Sequence, residues 1–292
     1  MDSVLQFLET TFAPLVLLFT VSNLGAMGLQ VEMRDVTVAL RNRKSIALIF
    51  VWGWVLGPAL GFLITMVLPL AEPYVIVVLL ASLAPCAPFL QQMVGKARGD
   101  MGFAGAFIPL VAVGTVVLMP LMAPLLIKGL TINAWALAKP LLLTILFPLM
   151  VGTAIRHYAG TLATRIFPAT SLVAQLSTLA TVVSCLLLYG RGMLDTAGSF
   201  ALLSMTLFMV GMALITYRFG FGMKQAKRSV MALGMGTRNI AAVLTAAIAI
   251  PNADTRIVVM VVMWTLWSVV LAVIGARIFT RQAGTAVEGG AA

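Results

Sequence analysis

Nine stretches of this chain are each long and apolar enough to cross a lipid bilayer, and that pattern leaves few folds open. A helix needs about 20 mainly apolar residues to traverse roughly 30 Å of hydrocarbon. Residues 11–30, 46–69, 73–95, 102–127, 137–155, 168–189, 199–221, 229–250 and 256–279 meet that requirement, with short polar or charged links between them. Inside a bilayer every backbone N–H and C=O must be satisfied by the chain itself, which leaves helices or a closed barrel. The spans are too long for barrel strands, so the sequence predicts an all-α polytopic membrane protein of about nine transmembrane helices. Composition agrees: 61% of the 292 residues are hydrophobic and 10% charged, with a mean hydropathy of +1.08. A soluble domain carries about 25% charged residues because water must wet its surface. Residues 1–281 read as one transmembrane domain, and residues 282–292, small and polar, as a disordered cytoplasmic tail.

The formal net charge of +10 would raise the question of nucleic acid in a soluble protein. Here the placement of the charges gives a different answer, and no nucleic-acid partner is expected. The links after spans one, three, five and seven, with the C-terminal end, hold Arg34, Arg41, Arg43, Lys44, Lys96, Arg98, Arg156, Arg165, Arg218, Lys224, Lys227, Arg228, Arg277 and Arg281. The opposite side holds Lys128, Lys139, Arg191 and Arg256. Basic residues accumulate in cytoplasmic loops, so this asymmetry puts the N-terminus outside and the C-terminus in the cytoplasm of a cell inner membrane or plasma membrane. An odd number of spans is consistent with that. The N-terminus lacks a signal peptide's basic segment and small-residue cleavage site, so the first helix is expected to stay in the mature protein. Cys86 and Cys185 both lie in apolar segments and read as small core residues rather than a disulfide pair. The single histidine, His157, excludes a histidine-built metal site. No acid–base pair, nucleophilic triad, metal cluster or phosphate loop is present, so neither an enzyme nor a cofactor is expected.

One basic residue fits neither side. Arg238 lies about ten residues into the eighth span, in Gly234-Met-Gly-Thr-Arg-Asn-Ile240. An arginine at mid-depth costs several kcal/mol, by estimates that run from about 2.5 upward, and marks a functional site by default. The alternative is snorkelling to the interface, but Lys227 and Arg228 already occupy it, two to three turns away. Two spans also carry internal breakers. The third reads Ala81-Ser-Leu-Ala-Pro85-Cys86-Ala-Pro88-Phe-Leu-Gln91-Gln92, and the eighth places Gly234 and Gly236 just before Thr237, Arg238 and Asn239. Proline removes a backbone donor and frees a carbonyl. Weak points at corresponding positions of two halves, each beside polar side chains, point to the central site of a transporter; two kinked, continuous helices are the plainer alternative. Gly53, Gly57 and Gly61, four apart, suit close helix packing. Trp52, Trp54, Trp135, Trp264 and Trp267 read equally as interface anchors or core, and the 18 methionines as packing.

Together these segments resemble the bile acid:sodium symporter superfamily over most of the chain. Met27-Gly-Leu-Gln-Val-Glu-Met-Arg-Asp-Val with Leu40-Arg-Asn-Arg-Lys44 is similar to that family's first block. Pro85 through Asp100 follows, without a gap, its Pro-Gly-Gly-Thr-Ala-Ser-Asn segment and the Ala-Lys-Gly-Asp that closes it, here Ala97-Arg-Gly-Asp100. Pro140–Arg156 resembles the Pro-rich middle helix, and Gly236-Thr-Arg-Asn-Ile-Ala-Ala the Gly-Met-Gln-Asn-x-x-Leu-Ala motif. The resemblance implies two inverted repeats sorted into a panel and a core, in the family's nine-helix form. Two broken helices would cross near the midplane, at Pro85–Gln92 and Gly234–Asn239.

It also implies a set of sodium ligands, and there this chain departs from the pattern. The positions that match the family's ligands hold Leu90 and Gln91, Ala104 and Ile108, Gly53, Gly234 and Arg238, and of these only Gln91 offers a side-chain oxygen. No acidic residue falls inside a predicted span. A hard cation wants several oxygens. The expectation is therefore a sodium-independent secondary transporter of a small organic anion, with Arg238 as a fixed cation in place of sodium, able to hold a carboxylate or sulfonate bidentately. Gln91, Gln92, Thr237, Asn239 and Cys86 would complete the substrate site, aided by half-helix N-termini, with membrane lipid as the other partner. Alternatives are a sodium-dependent symporter with rebuilt ion sites, an arsenite efflux permease using Pro85-Cys86, or a non-transporting membrane sensor.

Overall fold

The computed structural model describes residues 2–127, 133–197, 199–251 and 253–288. Among them helices are the only regular elements, joined by short turns and loops. α1 (Asp2–Gly28) is followed by α2 (Met33–Arg41), α3 (Arg43–Val67), α4 (Glu72–Ser82), α5 (Leu90–Lys96) and α6 (Met101–Leu126). Then come α7 (Ala134–Tyr158), α8 (Gly160–Ala197), α9 (Ala201–Arg218), α10 (Gln225–Gly236), α11 (Ile240–Ile248) and α12 (Thr255–Glu288). Seven of these are long and apolar enough to span a membrane: α1, α3, α6, α7, α8, α9 and α12. The third and eighth predicted spans are the two exceptions. Each is split into a pair of half-helices, α4 with α5 and α10 with α11.

The final helix continues through Glu288, into the stretch read as a tail, while residues 289–292 and Lys128 lie outside the described residues. Sequence reading missed α2. It is nine residues long, carries Arg34, Asp35 and Arg41, and packs on α6, where the Asp35 carboxylate would be 3.5 Å from a Cβ built on Gly102. A carboxylate beside the first turn of α6 complements the positive end of that helix. Asp100, which closes the motif recognised in the sequence, caps the same end by accepting from Phe103 N–H at 2.8 Å.

Proline shapes two of the long helices in the same way. Pro58 in α3 and Pro148 in α7 cannot donate to the preceding turn, and each follows a five-residue π-helical turn, Trp52–Leu56 and Leu142–Leu146 respectively. The remaining turns continue as regular helix.

α1, α7 and α8 form one group. Ser22 meets Ser177 at 3.1 Å, and Asn23 donates to Thr178 Oγ1 at 3.1 Å, which joins α1 to α8. α1 and α7 cross so closely at Gly28 and Gly152 that a Cβ on Gly152 would lie 2.5 Å from the Gly25 carbonyl. Only glycine permits that approach. The other spans surround the two broken pairs, in the order α3, α4/α5, α6 and again α9, α10/α11, α12. Contacts between the connections show how the two sets are oriented. Glu32 pairs with Arg156 at 2.7 Å, Lys44 lies beside Gly222, and Asp100 N–H donates to Ala226 O at 3.2 Å, so these basic links gather at one end. α3 begins at that end and α9 finishes there, and the two sets therefore run in opposite senses, as the inverted-repeat expectation requires.

Candidate functional site

The two breaks meet. Pro85 and Arg238 form an isolated antiparallel bridge, the only pairing of extended backbone among the described residues. Cys86 N–H donates to the carbonyls of Gly234 (2.9 Å) and Thr237 (3.0 Å), and Asn239 N–H donates to Ala84 O at 2.8 Å. Backbone groups freed by one break are thus satisfied by the other, which is what allows non-helical chain at membrane depth. Side chains complete the junction. Thr237 Oγ1 donates to Leu233 O at 2.7 Å and accepts from Ala87 N–H at 3.1 Å. Asn239 caps α11 by accepting from Ala242 N–H at 3.2 Å. Trp54 Nε1 donates to Leu83 O at 3.2 Å, giving that tryptophan a role the sequence did not distinguish.

Arg238 has no solvent-accessible surface. Its Nη1 donates to the carbonyls of Ala81 and Ser82, both at 3.4 Å, and its Nη2 to the carbonyl of Met235. The guanidinium carbon sits 4.6 Å from the centre of the Phe208 ring, while Nε has no partner. Ala81 and Ser82 end α4, and Met235 is in the last turn of α10. Terminal carbonyls of a helix lack intrahelical partners and carry the negative end of its dipole. Two such ends converge here, and the arginine places one positive charge between them. The bond pattern is that of a cation held by backbone oxygens.

α3 supplies the floor through its glycines. A Cβ on Gly57 would lie 3.0 Å from Ser82 O, one on Gly61 2.9 Å from Ser82 Cβ, and one on Gly53 3.6 Å from Pro85 Cγ. Spacing by four therefore marks a packing face, turned on the end of α4 and the first break. The positions matching the family's sodium ligands are filled otherwise. Leu90, Ala104 and Ile108 are buried apolar side chains. Gly234 abuts Phe107 so closely that a Cβ would lie 2.4 Å from its ring, leaving no room for an acidic side chain.

Cys86 is buried with φ +75°, a conformation that favours glycine, and it stands where the resembled segment has one. Gln91 and Gln92 are set apart from Arg238. With Pro88 they border a narrow cleft of ≈ 60 Å3 between α5, α1 and α8, whose polar lining also includes Asn23, Gln30, Ser171 and Gln175. The expected site residues therefore fall into two groups. Pro85, Cys86, Gly234, Gly236, Thr237, Arg238 and Asn239 form the junction, while Pro88, Gln91 and Gln92 face the cleft. Phe208 and the amides of α1 and α8 escaped sequence reading because nothing in their local sequence separates them from ordinary span residues. At the basic end a wider cavity of ≈ 590 Å3, bordered by Glu32, Arg34, Arg156 and His157, opens outward.

A model of the sodium bile acid symporter family matches residues 15–195, which include the first break but not the second. Among curated proteins, the chain is 28% identical over 181 residues to a probable chloroplastic sodium/metabolite cotransporter, BASS2, of Oryza sativa subsp. japonica. That alignment covers 60% of this chain and 42% of the rice protein, so the chain spans less than half of that relative's length.

Proposed function

The chain belongs to the sodium bile acid symporter family, and on that premise we propose that it is a secondary transporter of a small organic anion that works without sodium, with Arg238 as its built-in cation. The observation that carries this reading is the placement of the guanidinium. It lies fully buried among the carbonyls that end α4 and α10, where broken helices of transporters characteristically hold an exchangeable cation. A tethered charge there neutralises the two helix ends permanently, without an ion gradient. The loss of side-chain oxygens at the matching positions supports the same view. The rice relative's name speaks for sodium coupling, but this chain retains only Gln91 of the oxygen-bearing set.

The substrate is received by the amide cleft, where Gln91 and Gln92 from the broken pair face Asn23, Gln30 and Gln175 across the boundary between the two helix groups. Amides donate and accept, so they bind carboxylate or sulfonate oxygens while tolerating hydroxyl and carbonyl groups. Movement of α1, α7 and α8 against the junction would expose the cleft to each side in turn. The N-terminus faces outward and the basic end the cytoplasm, following the charge asymmetry.

The test is uptake into proteoliposomes of a panel of carboxylates and sulfonates, bile acids included, with choline replacing sodium. At least one anion is taken up by the wild type, and Gln91→Leu/Gln92→Leu reduces its uptake at least tenfold in correctly folded protein. Failure of every anion, or unchanged uptake in the double variant, removes the proposal.

A further inference from the structure

An apolar groove, lined by none of the residues of the amide cleft, lies between α9, α10 and α12. Its volume is ≈ 200 Å3. One wall is Met209, Ala213 and Tyr217 of α9, the other Leu271, Gly275 and Phe279 of α12, and its inner end is Gly236 and Thr237 at the junction itself. The rims carry Val210, Leu214, Ile274 and Ile278, all exposed apolar side chains. In a bilayer such a surface meets hydrocarbon.

Both walls end in a positive charge. Arg218 follows Leu214 by four residues, and Arg281 follows Ile278 by three and Ile274 by seven, so each continues its helix's groove face. Both are exposed, and neither has an ion-pair partner among the described residues. From Leu271 to Gln282 the groove follows α12 for eleven helical steps, about 16 Å at 1.5 Å per residue. That is close to the hydrocarbon depth of one leaflet, about half of 30 Å. A trough one leaflet deep, apolar inside and doubly cationic at its mouth, is complementary to one kind of molecule.

We propose that this groove is a binding site for an anionic phospholipid of the leaflet at the basic end, with one acyl chain lying between α9 and α12 and the phosphate headgroup held by Arg218 and Arg281. The tip of the chain then rests against Gly236 and Thr237 and supports the junction from behind. Occupancy would make the stability of the broken pair depend on the lipid around it. The site is independent of which solute is carried and of whether sodium is needed.

Native mass spectrometry of the purified full chain tests this, using palmitoyl-oleoyl phosphatidylglycerol and the matching phosphatidylcholine as probes added to detergent micelles. One phosphatidylglycerol is retained per chain in preference to phosphatidylcholine. Arg218→Ala/Arg281→Ala weakens that retention roughly 30-fold, the effect of two arginines on an anionic lipid. Arg34→Ala/Arg41→Ala, which removes two charges from the same end but away from the groove, leaves it unchanged. Gly275→Phe abolishes it by filling the trough, since a Cβ there meets nothing closer than Leu233 Cδ2 at 3.4 Å. Equal retention of the two lipids overturns the proposal. So does undiminished retention in Arg218→Ala/Arg281→Ala, whose surface changes leave the fold intact, or an equal loss in the Arg34/Arg41 control.

Discussion

Replacing Arg238 by alanine removes the charge from the junction and leaves the carbonyls of Ala81, Ser82 and Met235 facing an empty space. Hydrogen bonds to a charged group contribute about 1.5–3 kcal/mol each. The two bonds from Nη1 are long, at 3.4 Å, and together count as about one such bond. The bond from Nη2 to Met235 is a second, and the stack on Phe208 adds about 1–2 kcal/mol in a desolvated setting. These do not add fully, because one side chain makes them all. Relief of the cost of burying the charge offsets part of the sum, and a net destabilisation of about 2–4 kcal/mol is expected. The cavity left behind is bordered by three carbonyl oxygens and the Phe208 ring, and under the proposed function those oxygens would receive a cation. With a dissociation constant near 10 mM, sodium at 100 mM would return about 1.4 kcal/mol. The assay is thermal unfolding of purified protein in detergent, followed by tryptophan fluorescence, in sodium chloride against choline chloride. Wild type melts at the same temperature in both salts, and Arg238→Ala melts lower but is raised by sodium. An Arg238→Ala protein that melts with the wild type would refute the reasoning about the carbonyls. Sodium stabilisation of the wild type would refute the idea that the arginine occupies the cation's place.

Substitutions at three further junction positions test its packing and hydrogen bonds. Gly234→Ala sets a Cβ 2.4 Å from the Phe107 ring and is expected to cost about 1–3 kcal/mol, with Phe107→Leu in the same chain restoring most of the loss in an unfolding assay. Cys86→Gly relieves a side chain at φ +75° and raises the melting temperature, whereas Cys86→Val lowers it; equal behaviour of the two would show that the backbone there is unstrained. Thr237→Val leaves Ala87 N–H without its acceptor and costs about 1–3 kcal/mol, while Thr237→Ser keeps the hydroxyl and most of the stability.

The helical architecture was legible because bilayer physics writes it in long apolar runs, and both breaks were legible because proline and glycine interrupt those runs at polar side chains. Hydropathy could not reveal α2, whose charged face reads as a loop, nor the extension of α12 through Glu288. Arg238 was conspicuous by its depth, but its partners were not. Three backbone carbonyls and a phenylalanine ring leave no mark in a sequence, since every residue has a carbonyl. For the same reason the split between the junction residues and the amides of the cleft emerged only when α1 and α8 were placed beside α5. Thr237 and Asn239 illustrate the limit well. Their polarity alone could not show that Thr237 bonds across the junction and that Asn239 caps a helix.

The central claim is that a fixed guanidinium has replaced an exchangeable sodium ion, and the most direct measurement is the initial rate of anion uptake by the wild type under three conditions. Proteoliposomes are compared with an inward sodium gradient, with sodium equal on both sides, and with choline throughout, at matched membrane potential. A guanidinium fixed in the cation's place gives the same rate in all three. A rate that rises severalfold with the inward sodium gradient would contradict it.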